Sequence, residues 1–425
     1  MLLSIKNVGR VSEASIELKG ITVVAGENDT GKSTLGKVLF CIFNSLYRID
    51  KQIQEEREDA ITNTIARTYH ETASRTIRRF SFQKIAQDIV TERQQLIQNS
   101  DELIKKLKAF YLSQDKAFKR YIEDEMLVGI SNRIIELLKI SDKEITANVL
   151  RKRFFEEFNM QIAHINTPKD PSCITLKIKD KTVHVDVTEN AVIKIKDPIN
   201  IFTELIYIDD PFVLDTLGNL PYYYMRNSNH RSHLRSKLMI LESEATGQNT
   251  IEEIVAAKKL DKIFNKLKTV CDGELVHKDS TNIAYKAGKL KDTLDFSNLS
   301  TGLKTFVILR TLLTNGGLTE NGTIVLDEPE IHLHPEWQLV FAEIIVLIQK
   351  EFGMHILINT HSPYFLNAIE VYAAKYDIVN KCKYYLAENQ GEKSTIKDVS
   401  DNIEKIYEKL ARPLQDLENE RYRYD

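Results

Sequence analysis

Apolar positions alternate with polar ones over Leu3 to Asn7 and again over Ala14 to Leu18, and a continuous apolar run follows from Ile21 to Ala25. Alternation with period two predicts strands, so the chain opens as a small antiparallel unit of short runs. From about Asp50 to Phe158 the period changes. Proline is absent, glycine nearly so, and apolar residues recur at three- and four-residue steps, as in Leu103, Leu107, Phe110 and Tyr111 or Ile134, Leu137 and Leu138. That spacing predicts amphipathic helices, without the sustained heptads of a long coiled coil. Alternation returns over residues 172 to 197 in Ile174-Leu176-Ile178, Val183-Val185-Val187 and Val192-Ile193-Ile195. Lys179-Asp180-Lys181 and Thr188-Glu189-Asn190 separate these runs as turns, predicting a three-stranded meander. A second helical piece runs from Asp210 to about residue 270. Beyond it come a helix over Thr305 to Leu313, buried-type strands at Thr323 to Leu326 and Met354 to Thr360, and a helix over Leu339 to Ile348 interrupted by Glu343. The last 64 residues hold a helix, a strand near Lys383 to Leu386 and a charged helix from about Val399 to Leu410.

The chemistry sits at the junctions of these elements. Gly26-Glu27-Asn28-Asp29-Thr30-Gly31-Lys32-Ser33 fits G-x-x-x-x-G-K-[ST] and lies between the run ending at Ala25 and a helix from Thr34. Such a loop turns successive backbone N–H groups toward one phosphate, with Lys32 bridging phosphates, the Ser33 hydroxyl on Mg²⁺ and a helix N-terminus behind the anion. Gly26, Asn28, Gly31, Lys32, Ser33 and Thr34 are thus the candidate contacts for ATP. Asp29 fits beside phosphate only if its carboxylate points away, and aspartate tolerates the left-handed backbone such loops demand. Thr323-Ile324-Val325-Leu326-Asp327-Glu328-Pro329 reads as a buried strand delivering two carboxylates, Asp327 to hold Mg²⁺ and Glu328 to act as general base toward water. Ser300-Thr301-Gly302 precedes a helix, where Ser is an ordinary N-cap, and His361 ends the strand after Met354.

In this order the motifs carry a resemblance. Asn298-Leu299-Ser300-Thr301-Gly302-Leu303-Lys304 resembles the ABC-type signature L-S-x-G-x-[KRQ]. Asp327 to Pro335 reads D-E-P-E-x-x-L-H-P, with Thr360-His361-Ser362-Pro363 after the next strand, and this looks like the soluble ABC ATPases related to OLD proteins, RecF and SMC proteins. The resemblance implies an α/β ATPase head, a mixed or parallel sheet with flanking helices and an antiparallel β subunit, interrupted by a helical insertion. It implies a homodimer or higher homo-oligomer in which Ser300 and Gly302 reach the γ-phosphate held by the other subunit, and in which His361 senses that phosphate. Glu330, His332 and His334 form a ligand-like cluster, but the resemblance accounts for both histidines without a metal. The expected segments are 1–48 with the P-loop, a helical insertion 49–165, the meander and return 166–210, a second helical segment 211–270, the remaining head 271–390 and a helical tail 391–425.

One expected piece departs. The strand Glu204-Leu205-Ile206-Tyr207-Ile208 should lead to a glutamine but ends in Asp209-Asp210-Pro211. Asp209 either replaces it as a water-mediated magnesium ligand or opens a turn before Pro211. OLD-type nucleases follow the histidine with an Asp-x-Asp pair; none occurs after His361, so nuclease activity within this chain is not expected. The resemblance extends to the ATPase components of bacterial antiphage systems such as PtuA of Septu, which implies a sensor or switch for a separately encoded nuclease or toxin. A DNA clamp of the RecF and SMC kind and a scaffold that binds ATP without turnover are the other readings.

Composition narrows this little. A chain of 425 residues with 42% hydrophobic residues can bury a substantial core, and a net charge of −3 gives no global attraction to nucleic acid or membrane. Contact with DNA or RNA would rest on local patches: Tyr222-Tyr223-Tyr224-Met225-Arg226 with His230, Arg231, His233, Arg235 and Lys237, or Arg67, Arg75, Arg78 and Arg79. For both patches the alternative reading is a solvated surface segment, since the runs are short and polar. Cys41, Cys173, Cys271 and Cys382 lack metal or disulfide spacing, and neither a signal-peptide core nor a run near the roughly 20 apolar residues of a membrane span occurs, so a cytoplasmic protein is expected.

Overall fold

The computed structural model describes residues 1–72, 79–114, 124–188, 190, 192–217, 229–240, 250–278, 283–288, 291–391 and 393–421. The chain forms two compact units, one of Met1–Tyr47 with Leu150–Asp425 and one of Arg48–Val149. It opens with β1 (Leu2–Val8), β2 (Val11–Glu17), β3 (Ile21–Gly26) and α1 (Lys32–Leu46). Among the described residues six helices follow: α2 (Ile49–Thr72), α3 (Arg79–Thr91), α4 (Arg93–Gln98), α5 (Ser100–Gln114), α6 (Asp124–Lys139) and α7 (Asp142–Glu157).

The Arg48–Val149 unit has its own core. Ile61, Ile65, Phe82, Ile89, Leu103, Leu107, Tyr111, Ile134 and Leu138 are buried together, with Phe110 and Leu137 packed at the margin. The three- and four-residue steps in the sequence are therefore the inward stripe of each helix. Arginines close the C-terminal end of α6: Arg57 donates to Ile140 O and Asp142 Oδ1, both at 2.7 Å, and Arg93 Nε donates to Leu138 O at 2.7 Å. Carbonyls that a helix end leaves without partners are satisfied in this way.

The other unit continues with β4 (Ser172–Ile178), β5 (Lys181–Thr188), β6 (Val192–Lys196), β7 (Leu205–Ile208), α8 (His230–Leu238), α9 (Thr250–Leu267), β8 (Glu274–His277), β9 (Ile283–Lys286) and α10 (Thr301–Thr314). Then come β10 (Thr323–Asp327), α11 (Pro335–Phe352), β11 (His355–Thr360), α12 (Pro363–Lys375), β12 (Cys382–Gln390), β13 (Lys393–Asp398) and α13 (Glu404–Arg421). Eleven strands form one sheet in the order β6-β5-β4-β1-β2-β13-β12-β3-β11-β10-β7, and β8 and β9 make a separate hairpin. The fold is α/β with a large mixed sheet and flanking helices. Its β6-to-β2 side is antiparallel and contains the meander, while β12, β3, β11, β10 and β7 run parallel.

Three details differ from the pattern read off the chain. β3 does not extend the β1–β2 hairpin but pairs with β11 and β12, because all six of its residues are buried and need cover on both faces. A second strand, β13, follows β12 near the C-terminus; it joins the two halves of the sheet, parallel to β2 and antiparallel to β12. Glu343 breaks the apolar run of α11 but not its burial. Burial alone would raise its carboxyl, but bonds from Lys266, Lys375 and Tyr376 bring it down to about 2 and let it face the interior as an anion.

The parallel register decides where the chemistry goes. Asp327 lies opposite Asn359, and Asn359 opposite Val24. The C-terminal ends of β3, β11, β10 and β7 therefore meet at one edge, where ligands of parallel sheets bind.

Candidate nucleotide site

The loop from β3 to α1 has the backbone a phosphate cradle requires. Gly31 has φ of +79° at the N-cap of α1, and a Cβ there would lie 2.5 Å from Val11 Cγ2. At Gly26 a Cβ would meet Ala387 O at 2.2 Å. Asp29 has φ of +62° and turns its carboxylate away from the loop to Arg10, whose Nε donates to Oδ1 at 2.8 Å. No side chain caps α1 and no acidic residue occupies its first turn, so the helix end keeps its positive partial charge for a ligand. Lys32 is buried, with Nζ donating to Gly26 O at 3.0 Å and Glu27 O at 2.7 Å. Burial lowers its pKa, while the nearby carboxylates of Glu328, Asp327, Glu330 and Glu27 act to raise it. Ser33 and Thr34 follow on the first turn, half-buried, and Asn28 is exposed on the loop.

β10 presents Asp327 at this edge, buried and held by two neutral donors. Tyr207 Oη donates to Oδ2 at 2.7 Å and Asn359 Nδ2 to Oδ1 at 2.9 Å. Glu328 takes a left-handed backbone, φ +51°, a conformation costing a non-glycine residue about 1–3 kcal/mol and concentrated at functional sites. Its N–H bonds Asn359 O at 2.8 Å, which fixes the turn, and its Oε1 lies 3.4 Å from His361 Nδ1. Glu330 is buried behind this pair. Its Oε1 accepts from Thr360 Oγ1 at 2.5 Å and from the His361 N–H at 3.3 Å, and burial raises its pKa. The structure thus brings the P-loop, Asp327, Glu328 and His361 together.

Ser300 and Gly302 lie at the start of α10. Among the described residues neither bonds to Lys32, Asp327 or Glu328. Ser300 is exposed at the N-cap of α10, yet its hydroxyl makes no capping bond. Gly302 is a close-approach glycine, since a Cβ would lie 2.9 Å from His332 O and 3.2 Å from Trp337. Lys304 is turned inward, with Nζ at 2.7 and 2.8 Å from the Asp215 carboxylate and 4.9 Å from the Phe212 ring centroid.

Of the two roles considered for Asp209 and Asp210, the structure supports the turn, at Asp210. Asp210 opens the turn, accepting from Phe212 N at 2.8 Å. The Asp209 carboxylate is instead taken up by Arg231, at 2.7 Å from Nη2, and by His230, at 2.9 Å from Nε2. Burial would raise Asp209, but these partners lower it to about 2. His230 lies between Asp209 and Glu157, and the two carboxylates outweigh its burial and raise it to about 9. These pairs offset the charge that the magnesium reading of Asp209 required. They also correct the basic patch: His230, Arg231, His233 and Lys237 bind Glu157, Asp209 and Glu204 within the chain and do not form a free cationic strip. Tyr222 to Arg226, Arg75 and Arg78 lie outside the described residues.

Glu330, His332 and His334 do not converge: Glu330 bonds Thr360, His332 packs on Phe212, and His334 is the N-cap of α11. Among the described residues all four cysteines are free and no helix is long and apolar enough to cross a membrane. Tyr207 and Asn359 escaped the sequence reading. For Tyr207 the available signal was a lone hydroxyl in the apolar strand Leu205–Ile208.

A glycine cradle and a buried lysine following one parallel strand, with paired carboxylates at the end of a nearby one, define a P-loop nucleotide-binding protein of the α/β class. The chain belongs to the AAA ATPase domain family, which matches residues 1–366. Solved structures similar to it include an SMC head bound to the C-terminal winged-helix domain of ScpA, with 12% identity over 93% of this chain and 96% of that one and a TM-score of 0.42. Another is the SMC head domain from Thermotoga maritima, with 10% identity over 94% and 98% and a TM-score of 0.38.

Proposed function

We propose that the chain binds MgATP between the P-loop and the Asp327–Glu328 turn, hydrolyses it, and closes as a homodimer that switches a separately encoded effector. The observation that carries the reading is the convergence of Lys32, Asp327, Glu328 and His361 at the ends of three adjacent parallel strands. Lys32 exchanges the Gly26 and Glu27 carbonyls for phosphate oxygens, a charge-assisted contact that water screens poorly in a buried cradle. The Ser33 hydroxyl and the Asp327 carboxylate, an anion fixed by neutral donors, suit a hard cation that prefers oxygen. Bound there, magnesium supplies charge neutralisation on the phosphate oxygens. Glu328 takes the proton of the attacking water, and His361 beside it contacts the transferred phosphoryl group.

Dimer closure is supported by the exposed, uncapped hydroxyl of Ser300 and by Ile331 and Phe212, large apolar residues left 52% and 44% exposed. The Arg48–Val149 unit has a core of its own and supplies none of the residues placed in the site, which suits it to dock a partner. A role in antiphage defence, with a nuclease or toxin as that partner, follows from the motif resemblance.

Glu328→Gln tests the chemistry. Calorimetric ATP affinity should match wild type while turnover falls at least a hundredfold, in the range general bases contribute. Unchanged turnover would remove Glu328 from the mechanism.

A further inference from the structure

We infer that Tyr207 is a positioning residue for the magnesium-binding carboxylate of Asp327, an assignment that rests on the proposed MgATP site.

β7 is four residues long and apolar except for this phenol, which is fully enclosed. Tyr207 lies opposite Val325 in the parallel β7–β10 register, and its hydroxyl reaches two residues further to donate to Asp327 Oδ2 at 2.7 Å. The same oxygen atom is 3.4 Å from Ser33 O, so the phenol stands where the first turn of α1 meets β10, between the two residues proposed to hold the metal.

Its chemistry differs from that of the partners that hold Asp209, the carboxylate at the end of the neighbouring strand. Together with Asn359 on Oδ1, Tyr207 fixes both Asp327 oxygens through neutral donors, which set their direction and leave the full negative charge for a cation. Next door, Asp209 is held by Arg231 and His230, whose positive charges offset its own. Two carboxylates thus end neighbouring strands, and only the one held by Tyr207 and Asn359 keeps its charge available.

α1 carries an independent mark of the same arrangement. Gly36 lies inside the helix, where glycine is less favourable than alanine. A Cβ at Gly36 would lie 3.1 Å from Tyr207 Cε1 and Cζ and 2.8 Å from Val325 Cγ1. The glycine makes room for the ring. On another side His230 stacks on it, centroids 4.4 Å apart, with its own Nδ1 held 2.6 Å from Glu157 Oε1. A phenylalanine would fill this slot equally well, so the hydroxyl is what distinguishes positioning from packing.

The test is the magnesium concentration that half-saturates the gain in ATP affinity, measured by calorimetry for wild type, Tyr207→Phe and Asp327→Asn, with metal-free ATP affinity and the emission of Trp337 as checks on the fold. Outer-shell partners of metal ligands contribute about 10–100-fold to metal affinity, so Tyr207→Phe should raise the magnesium midpoint at least tenfold and leave metal-free ATP affinity unchanged. Gly36→Ala, which keeps every polar group and displaces the ring, should shift it in the same direction. A wild-type midpoint in Tyr207→Phe, with a raised one in Asp327→Asn, would overturn the inference alone. Equal loss of ATP affinity with and without magnesium would mark the hydroxyl as a packing group and overturn it too. No effect in Asp327→Asn would overturn the magnesium site and the inference with it.

Discussion

Asp215→Ala should be far more damaging than its surface position suggests, because of what it strands. Lys304 is 2% exposed and has its ammonium between the Asp215 carboxylate, at 2.7 and 2.8 Å, and the Phe212 ring. Removing one partner of a buried pair costs about 3–5 kcal/mol, since the remaining charge is left without compensation. The Asp215 side chain is 31% exposed, so water can enter where it stood and the expected loss falls to about 2–3 kcal/mol. Lys304→Met removes the buried charge itself and leaves a carboxylate that solvent reaches, for a loss of about 1 kcal/mol or less. The double variant should match Lys304→Met. Trp337 makes the assay local: it is the only tryptophan, it stands 3.2 Å from the Cβ position of Gly302, and it packs edge-on against Phe306 at 5.7 Å. Urea unfolding followed by its emission therefore reports on α10 and its neighbours. If Asp215→Ala loses no more than Lys304→Met, the ammonium is not stranded and Lys304 does not anchor α10.

Lys32→Ala should abolish calorimetrically detectable ATP binding while leaving the Trp337 unfolding curve unchanged; wild-type affinity would exclude the P-loop from nucleotide binding. His230 supplies a pH prediction. Its folded pKa of about 9 lies above the ordinary 6.5, so its stabilisation is complete below about pH 6.5 and is lost as pH rises through 9. The urea midpoint should fall across that window in wild type and much less in His230→Asn. Asp209 and Glu204, both lowered to about 2, act at the other end, losing their contribution as pH falls below about 4.

Features set by local spacing were legible in the sequence. The P-loop, the Asp327–Glu328 strand end and His361 each combine a short apolar run with polar residues at its end, and the meander announced itself by alternation and turns. Asp29 turns its carboxylate to Arg10 with a left-handed backbone, as the sequence reading of that loop required. What the chain concealed depends on residues far apart in sequence. The cations of α8 looked like a binding strip because their carboxylate partners, Glu157, Glu204 and Asp209, lie on other segments. Lys304 fitted a signature position, and only the distant Asp215 draws it inward. Strand β13 was missed because Lys393, Lys397 and Asp398 face solvent, leaving too few buried positions to show a period. Tyr207 and Gly36 are 171 positions apart, and no local pattern links a helix glycine to the ring that fills its place.

The central claim, that ATP held by one copy is closed by Ser300 of another, is tested most directly by light scattering of Glu328→Gln with and without MgATP. The account predicts the mass of two chains with MgATP and one without, and one chain in both conditions when Ser300→Arg is added, although that variant still binds ATP. A single-chain mass for Glu328→Gln saturated with MgATP, or a two-chain mass that survives Ser300→Arg, would contradict it.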